Sequence, residues 1–226
     1  MRKKKWNIPF DWTSKFVDLL IVIIGITIAF KLNNWNESIK TSQEEKQYVS
    51  SFSEENKDNY ENLVLALDYS KSIKNEVDTL KEILLAKNYE DVRIKSLVSS
   101  MMGMANYSPS TTTMENISAS GEFDLIHDVT LRKNLINTYN SFKTTTKLEQ
   151  ILSDYVNEYV TPFFFEKVRF SDFSSITTEF SKDPQFENIV FGYDVLLNQL
   201  IKGYQTSLDQ LKQLNEQLSK MQKELD

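Results

Sequence analysis

From Phe16 to Leu32 the chain reads FVDLLIVIIGITIAFKL, and Leu19 to Phe30 carries no charge. As a helix these 17 residues rise about 25 Å, at the short end for a bilayer core of about 30 Å. Lys31 closes one end and can reach outward to water, and Asp18 lies one turn inside the other. Trp6, Phe10 and Trp12 precede the run and Trp35 follows it, as an aromatic belt at two membrane surfaces would. A cleaved signal peptide needs small residues after its apolar core, and Ala29-Phe30-Lys31 does not supply them. A buried core helix has no use for Arg2-Lys3-Lys4-Lys5 just upstream. The run reads as an uncleaved signal anchor over residues 16–32.

Charge sets the expected orientation. Residues 1–30 hold five basic and two acidic side chains, net +3, and residues 31–226 hold 21 and 30, net −9. Excess basic residues stay in the cytoplasm. Residues 1–15 are therefore expected as a cytoplasmic stub and residues 33–226 as a periplasmic domain of a single-pass protein in a bacterial inner membrane. Trp12, Lys31, Asn33, Asn34, Trp35 and Asn36 are the expected anchor and interface residues. Gly25 and Ala29 form a small-x-x-x-small pair, which marks either a contact between two membrane helices or a plain lipid-facing surface.

VIIGITIAFKLNNWNE, Val22 to Glu37, resembles the N-terminal signature of a family of small single-pass membrane proteins from Bacteroidota, in which an I-G-I-x-I-A run is followed by N-N-W-N-E. SASGEFDLIHDVTLRKNLINTY, Ser118 to Tyr139, is similar to that family's second segment, S-G-x-x-D-L-I followed by L-R-x-x-I. The family is a domain of unknown function. The resemblance implies a bacterial envelope location and transfers no catalytic residue.

Beyond the apolar run the pattern is helical throughout. No Pro or Gly occurs between Gly25 and Gly103. Val49, Phe52, Asn56, Asn59, Leu63, Ala66, Ser70, Ile73, Val77, Leu80 and Leu84 repeat every seven residues, which predicts one helix over 43–86. The stripe weakens at Asn56, Asn59 and Ser70. The segment 33–42 holds no breaker, so the membrane helix can run on into this rod. A turn is expected at Lys87–Glu90, a helix from an Asp91 cap to about Ala105, and a polar loop over 106–112. Residues 113–120 fit two helical turns closed by Gly121. Asp128 reads as the cap of a long helix through Leu131, Leu135, Tyr139, Phe142, Leu148, Leu152, Tyr155 and Tyr159, which Pro162 is expected to end. Asp183-Pro184 opens a last helix to the C-terminus, with Tyr204, Leu208, Leu211, Asn215, Leu218, Gln222 and Leu225 on its stripe and Leu214 and Met221 widening it. Gly203 is its weak spot. The expected fold class is all-α: a transmembrane helix followed by an antiparallel helical bundle with long, coiled-coil-like first and last helices.

Composition removes most chemistry. There is no Cys, a single His and five Gly, and neither G-x-G-x-x-G nor G-x-x-x-x-G-K-[ST] occurs. The net charge of −6 argues against nucleic acid. His127 lies between Asp124 and Asp128, a setting that can orient a base, but no nucleophile or oxyanion donor accompanies it, so a surface or capping role is expected. Glu54, Glu55, Asp58 and Glu61 are read as a solvated face. No catalytic residue, metal ligand or cofactor is assigned. Phe163, Phe164 and Phe165 offer either a partner surface or a plug over the end of the bundle. Met101, Met102 and Met104 are read as core filler. The expected partners are the bilayer, through residues 16–32, and a protein or a second copy of the chain.

Overall fold

The computed structural model describes residues 12–172, 174–176 and 179–225. The basic residues 2–5, Trp6, Phe10 and Phe173 lie outside them. All regular structure among the described residues is helical. Six α-helices follow in order: α1 (Trp12–Leu85), α2 (Ile94–Ser100), α3 (Thr112–Ser120), α4 (Val129–Tyr155), α5 (Thr161–Lys167) and α6 (Pro184–Leu225). An isolated antiparallel bridge joins Val168 to Ser175.

The apolar run and the heptad stripe are one helix. The 74 residues of α1 make a rod of about 110 Å, because nothing from Gly25 to Leu85 breaks the helix. The rod has two unlike halves. The described side chains from Lys15 to Lys40 are exposed, and the first buried side chain is Glu45. From there the stripe goes inward without a gap: all eleven positions from Val49 to Leu84, the polar Asn56, Asn59 and Ser70 included, are buried. This N-terminal part is the one helix among the described residues long and apolar enough to cross a membrane.

Three long helices lie side by side around one core. Ser53 meets Gln222 and Lys81 meets Asp194, so α6 runs opposite to α1. Asn134 bonds Gln217, Thr145 bonds Ser207 and Tyr155 bonds the Ile189 carbonyl, so α4 is also opposite to α6. The chain returns from the far end of α1 through α2, the 101–111 loop and α3. Two glycines let α4 and α6 approach closely. A Cβ on Gly192 would stand 2.2 Å from the Tyr155 hydroxyl, and one on Gly203 would stand 2.6 Å from Leu148 Cδ1. The weak spot in the α6 stripe is thus a contact point.

The ends of the helices follow their local chemistry. Asp128 Oδ1 accepts the N–H groups of Thr130 and Leu131, Asp183 Oδ1 accepts that of Gln185, and Gly121 closes α3 at φ 73°. Lys87 takes a left-handed conformation, and the Asn88 N–H reaches back to the Ile83 carbonyl to close α1. Two boundaries differ from expectation. The helix after Asp91 is shorter: Asp91 caps the preceding turn through the Arg93 N–H, and the helix stops at Ser100. There Ser99 and Ser100 bond carbonyls three residues back, and the N–H groups of Met101, Met102 and Gly103 do the same, tightening the turn. Pro162 does not end its helix. A π-turn at Val156–Val160, in which the Thr161 N–H reaches the Val156 carbonyl, takes up the register that a residue without N–H cannot hold, and α5 continues beyond it.

Candidate functional site

The exposed half of α1 is the first candidate. Lys15 pairs with Asp18 at 4.0 Å, so the acid near the N-terminal end of the run has a partner. The Thr27 hydroxyl donates to the Ile23 carbonyl within the helix, which leaves the run no unsatisfied side-chain donor there. Trp12 and Trp35 are exposed, as are Lys31, Asn33, Asn34 and Asn36. Among the described residues nothing beyond the adjacent helix backbone lies within 4 Å of a Cβ placed on Gly25, and Ala29 is exposed beside it. Neither packs against another element among the described residues.

A second set of polar groups is buried in the helical body. Of the weak heptad positions, Asn59 anchors the return loop, and Asn56 bonds within α1 and toward α4. Asn59 Nδ2 donates to the Ser110 carbonyl at 2.9 Å, and its Oδ1 accepts the Ser110 N–H at 2.8 Å. Glu55 Oε2 accepts the Thr113 N–H and the hydroxyls of Ser110 and Thr113, and Oε1 accepts the Tyr139 hydroxyl. Asn56 Nδ2 donates to the Phe52 carbonyl and faces Tyr139. Exposed Glu54, Asp58 and Glu61 stand apart from Glu55. Replacing Asn59 by Leu would complete the apolar stripe but release the loop. We expect Asn59→Leu to cost about 1 kcal/mol and to speed amide exchange at Ser110 about tenfold. Unchanged protection across 106–113 in exchange mass spectrometry would show that the loop is held elsewhere.

His127 is exposed, and its partner is Glu45, not a neighbour in sequence. Glu45 Oε1 accepts the His127 N–H, and Oε2 lies 2.8 Å from its Nδ1. This clamp ties the start of the packed half of α1 to the approach to α4. Asp128 is occupied in capping, and Asp124 pairs with Arg132. No three His, Asp or Glu side chains gather around a common point among the described residues.

At the far end, Asp194 on α6 is buried between Lys74 and Lys81 of α1, and Asp78 bonds the same two lysines. Burial pushes the Asp78 carboxyl up, but the hydrogen bond and charge of Lys74, with Lys81, bring it below its ordinary 3.8. The hydrogen bond to Asp194 holds Lys81 above its ordinary 10.5, against desolvation.

In the last third of α4 sits Glu149, also buried. Its Oε1 accepts the Tyr107 N–H at 2.7 Å and the Tyr204 hydroxyl. Burial raises its pKa, and these two hydrogen bonds only partly offset the rise. Around it the rings of Tyr107, Phe142 and Tyr204 meet edge to face.

The aromatic segment divides. Phe163 and Phe164 are buried and pack on Phe186 and Phe180, whereas Phe165 is 69% exposed and touches exposed Phe170. Phe163 and Phe164 belong to the core, and of the three only Phe165 is left on the surface. Met101 is buried and Met102 and Met104 pack against the core.

Glu45, Glu149 and Asp194 were not singled out from the sequence, although each carries a readable signal. Each is an acid standing on an apolar helical stripe: Glu45 four residues before Val49, Glu149 between Phe142 and Leu152, and Asp194 four after Val190.

The model of a family of unknown function, DUF6090, matches residues 18–164. Neither curated proteins nor solved structures yield a match. The matched stretch takes in the apolar run from Asp18 on, α1 beyond it, the return loop, Glu149 and the start of α5, and it stops before α6. Covering well over half of the chain, it places this protein in DUF6090, a family of unknown function.

Proposed function

We propose that the chain is a single-pass protein of a bacterial inner membrane, with residues 1–15 in the cytoplasm and an antiparallel helical bundle on the periplasmic side. It works there as a non-enzymatic interaction or assembly module, through a protein partner or a second copy of itself, and not through nucleic acid. The observation that carries this reading is the continuity of α1. One unbroken helix joins a bare apolar span to a packed body, so the body is held at a set distance and orientation from the bilayer. The net −9 beyond residue 30 supports it, since such a domain is repelled by anionic lipid and is held by its tether alone.

The chain has no cysteine, so single introduced cysteines report topology without background. In spheroplasts, Glu216→Cys is expected to react with a membrane-impermeant maleimide, and Lys4→Cys only after the membrane is opened. The reverse pattern would refute the orientation.

A second reading is a ligand-binding ectodomain that works with a separate signalling subunit. The same continuous helix favours it, because a change in packing around α1 has a direct route to the membrane. A saturable rise in melting midpoint with one member of a metabolite panel distinguishes it from the assembly module.

A further inference from the structure

Between the Asn106–Thr111 loop and α4 lies an open cleft of about 470 Å³, within the range that small ligands occupy. Glu149, only 7% exposed, lines it. Both donors that reach this carboxylate go to Oε1. Oε2 has no hydrogen bond or ion pair among the described residues, yet it is not sealed in the core. A carboxylate drawn out of water is favoured as an anion by hydrogen bonds and by an opposite charge, and among the described residues Glu149 has two hydrogen bonds and no ion pair.

The other walls are chemically distinct. Tyr107, Phe142 and Pro109 supply apolar and aromatic surface, and Ser108 and Thr146 supply hydroxyls. Lys143 is exposed at the rim and makes no ion pair among the described residues. It stands six residues before Glu149, about 9 Å along the helix, and its flexible stem can shorten that gap. The cleft thus offers an uncompensated anion at depth, rings beside it and a cation at the edge.

We propose that this cleft binds a small zwitterion of the amino-acid kind, with its ammonium group on Glu149 Oε2 and its carboxylate on Lys143. The carbon side chain lies against Phe142, Tyr107 and Pro109, where the ring faces also favour the cation. The site deepens the ligand-binding reading and leaves the assembly reading untouched.

Calorimetric titration of the full chain in detergent micelles tests it with three probes: L-phenylalanine, 2-phenylethylamine and 3-phenylpropanoate. L-Phenylalanine is expected to bind saturably and most tightly, the amine more weakly, and the acid not at all. Glu149→Gln keeps an acceptor for Tyr107 and Tyr204 but removes the charge, so both amines should weaken about tenfold or more. Lys143→Met should weaken L-phenylalanine alone. Thr146→Trp, at an exposed position, fills the cleft without touching the core and should abolish binding. No saturable binding by either amine overturns the proposal, as does undiminished amine binding by a folded Glu149→Gln protein. Should Glu149→Gln fail to fold, undiminished amine binding by Thr146→Trp overturns it instead. A metabolite without an amine that raises the melting midpoint while all amines stay silent overturns this site and keeps the ligand-binding reading.

Discussion

Phe186→Ala is expected to lower the unfolding free energy by about 3–5 kcal/mol, whereas Phe165→Ala should change it by no more than about 0.5 kcal/mol. Phe186 is fully buried, and three other rings close on it: Phe180 at 5.3 Å, Phe163 at 5.9 Å and Phe164 at 6.0 Å between centroids. Removing it leaves a cavity that rigid aromatic neighbours cannot collapse into. Phe165 neighbours two of these residues in sequence but projects outward onto Phe170. Urea unfolding of the full chain in micelles, followed by helical circular dichroism, measures both. Equal losses would mean that Phe165 is also core. If Phe165 serves a partner instead, its variant should lose crosslinked products in the membrane while the midpoint stays in place.

Asp194→Ala should cost about 3 kcal/mol at neutral pH, at the low end for breaking a buried ion pair because Asp78 still serves both lysines. The lysine side chains are only about one-fifth exposed, at 19% and 21%, so their charges cannot simply return to water. Adding Lys81→Met to Asp194→Ala should recover part of the loss, since it removes one stranded charge. No recovery would mean that the packing of Asp194, not its charge, matters. The pH dependence has two limbs. The Asp78 carboxyl is held below 3.8, so its contribution is complete above pH 3.8 and is lost as pH falls through the lower folded value. Lys81 is held above 10.5, so its contribution is complete below pH 10.5 and is lost as pH rises through the higher folded value. Asp194→Ala removes the first cause of the Lys81 shift, so its alkaline limb should begin at lower pH than that of the native chain.

Much of the fold is legible from residue types a few positions apart. The α1 stripe is a spacing of three and four, and all its predicted positions are buried. The caps at Gly121, Asp128 and Asp183 need only a backbone conformation or a short side chain beside free N–H groups. Errors arose where a local rule met a longer one. Pro162 is a helix breaker by its own stereochemistry, but a π-turn lets the chain keep packing Phe163 and Phe164. Asn56 and Asn59 weaken an apolar stripe when only the spacing along α1 is read. Asn59 serves a loop whose backbone must be bonded where it crosses the core, and Asn56 bonds the Phe52 carbonyl and faces Tyr139 of α4.

The apolar span, the helical periods and the caps follow from the polarity and stereochemistry of residues within about one or two turns of each other. What the buried acids do depends on segments far apart in the chain. Glu149 becomes a half-satisfied carboxylate in a cleft only when Tyr107, 42 residues away, and Tyr204, 55 residues away, are folded onto it. Asp194 becomes a shared counter-ion only when α6 returns along α1 to lysines 113 and 120 residues earlier in the chain. Hydrogen bonds and ion pairs act over about 3–4 Å in space, and nothing in local spacing records which distant segments come that close.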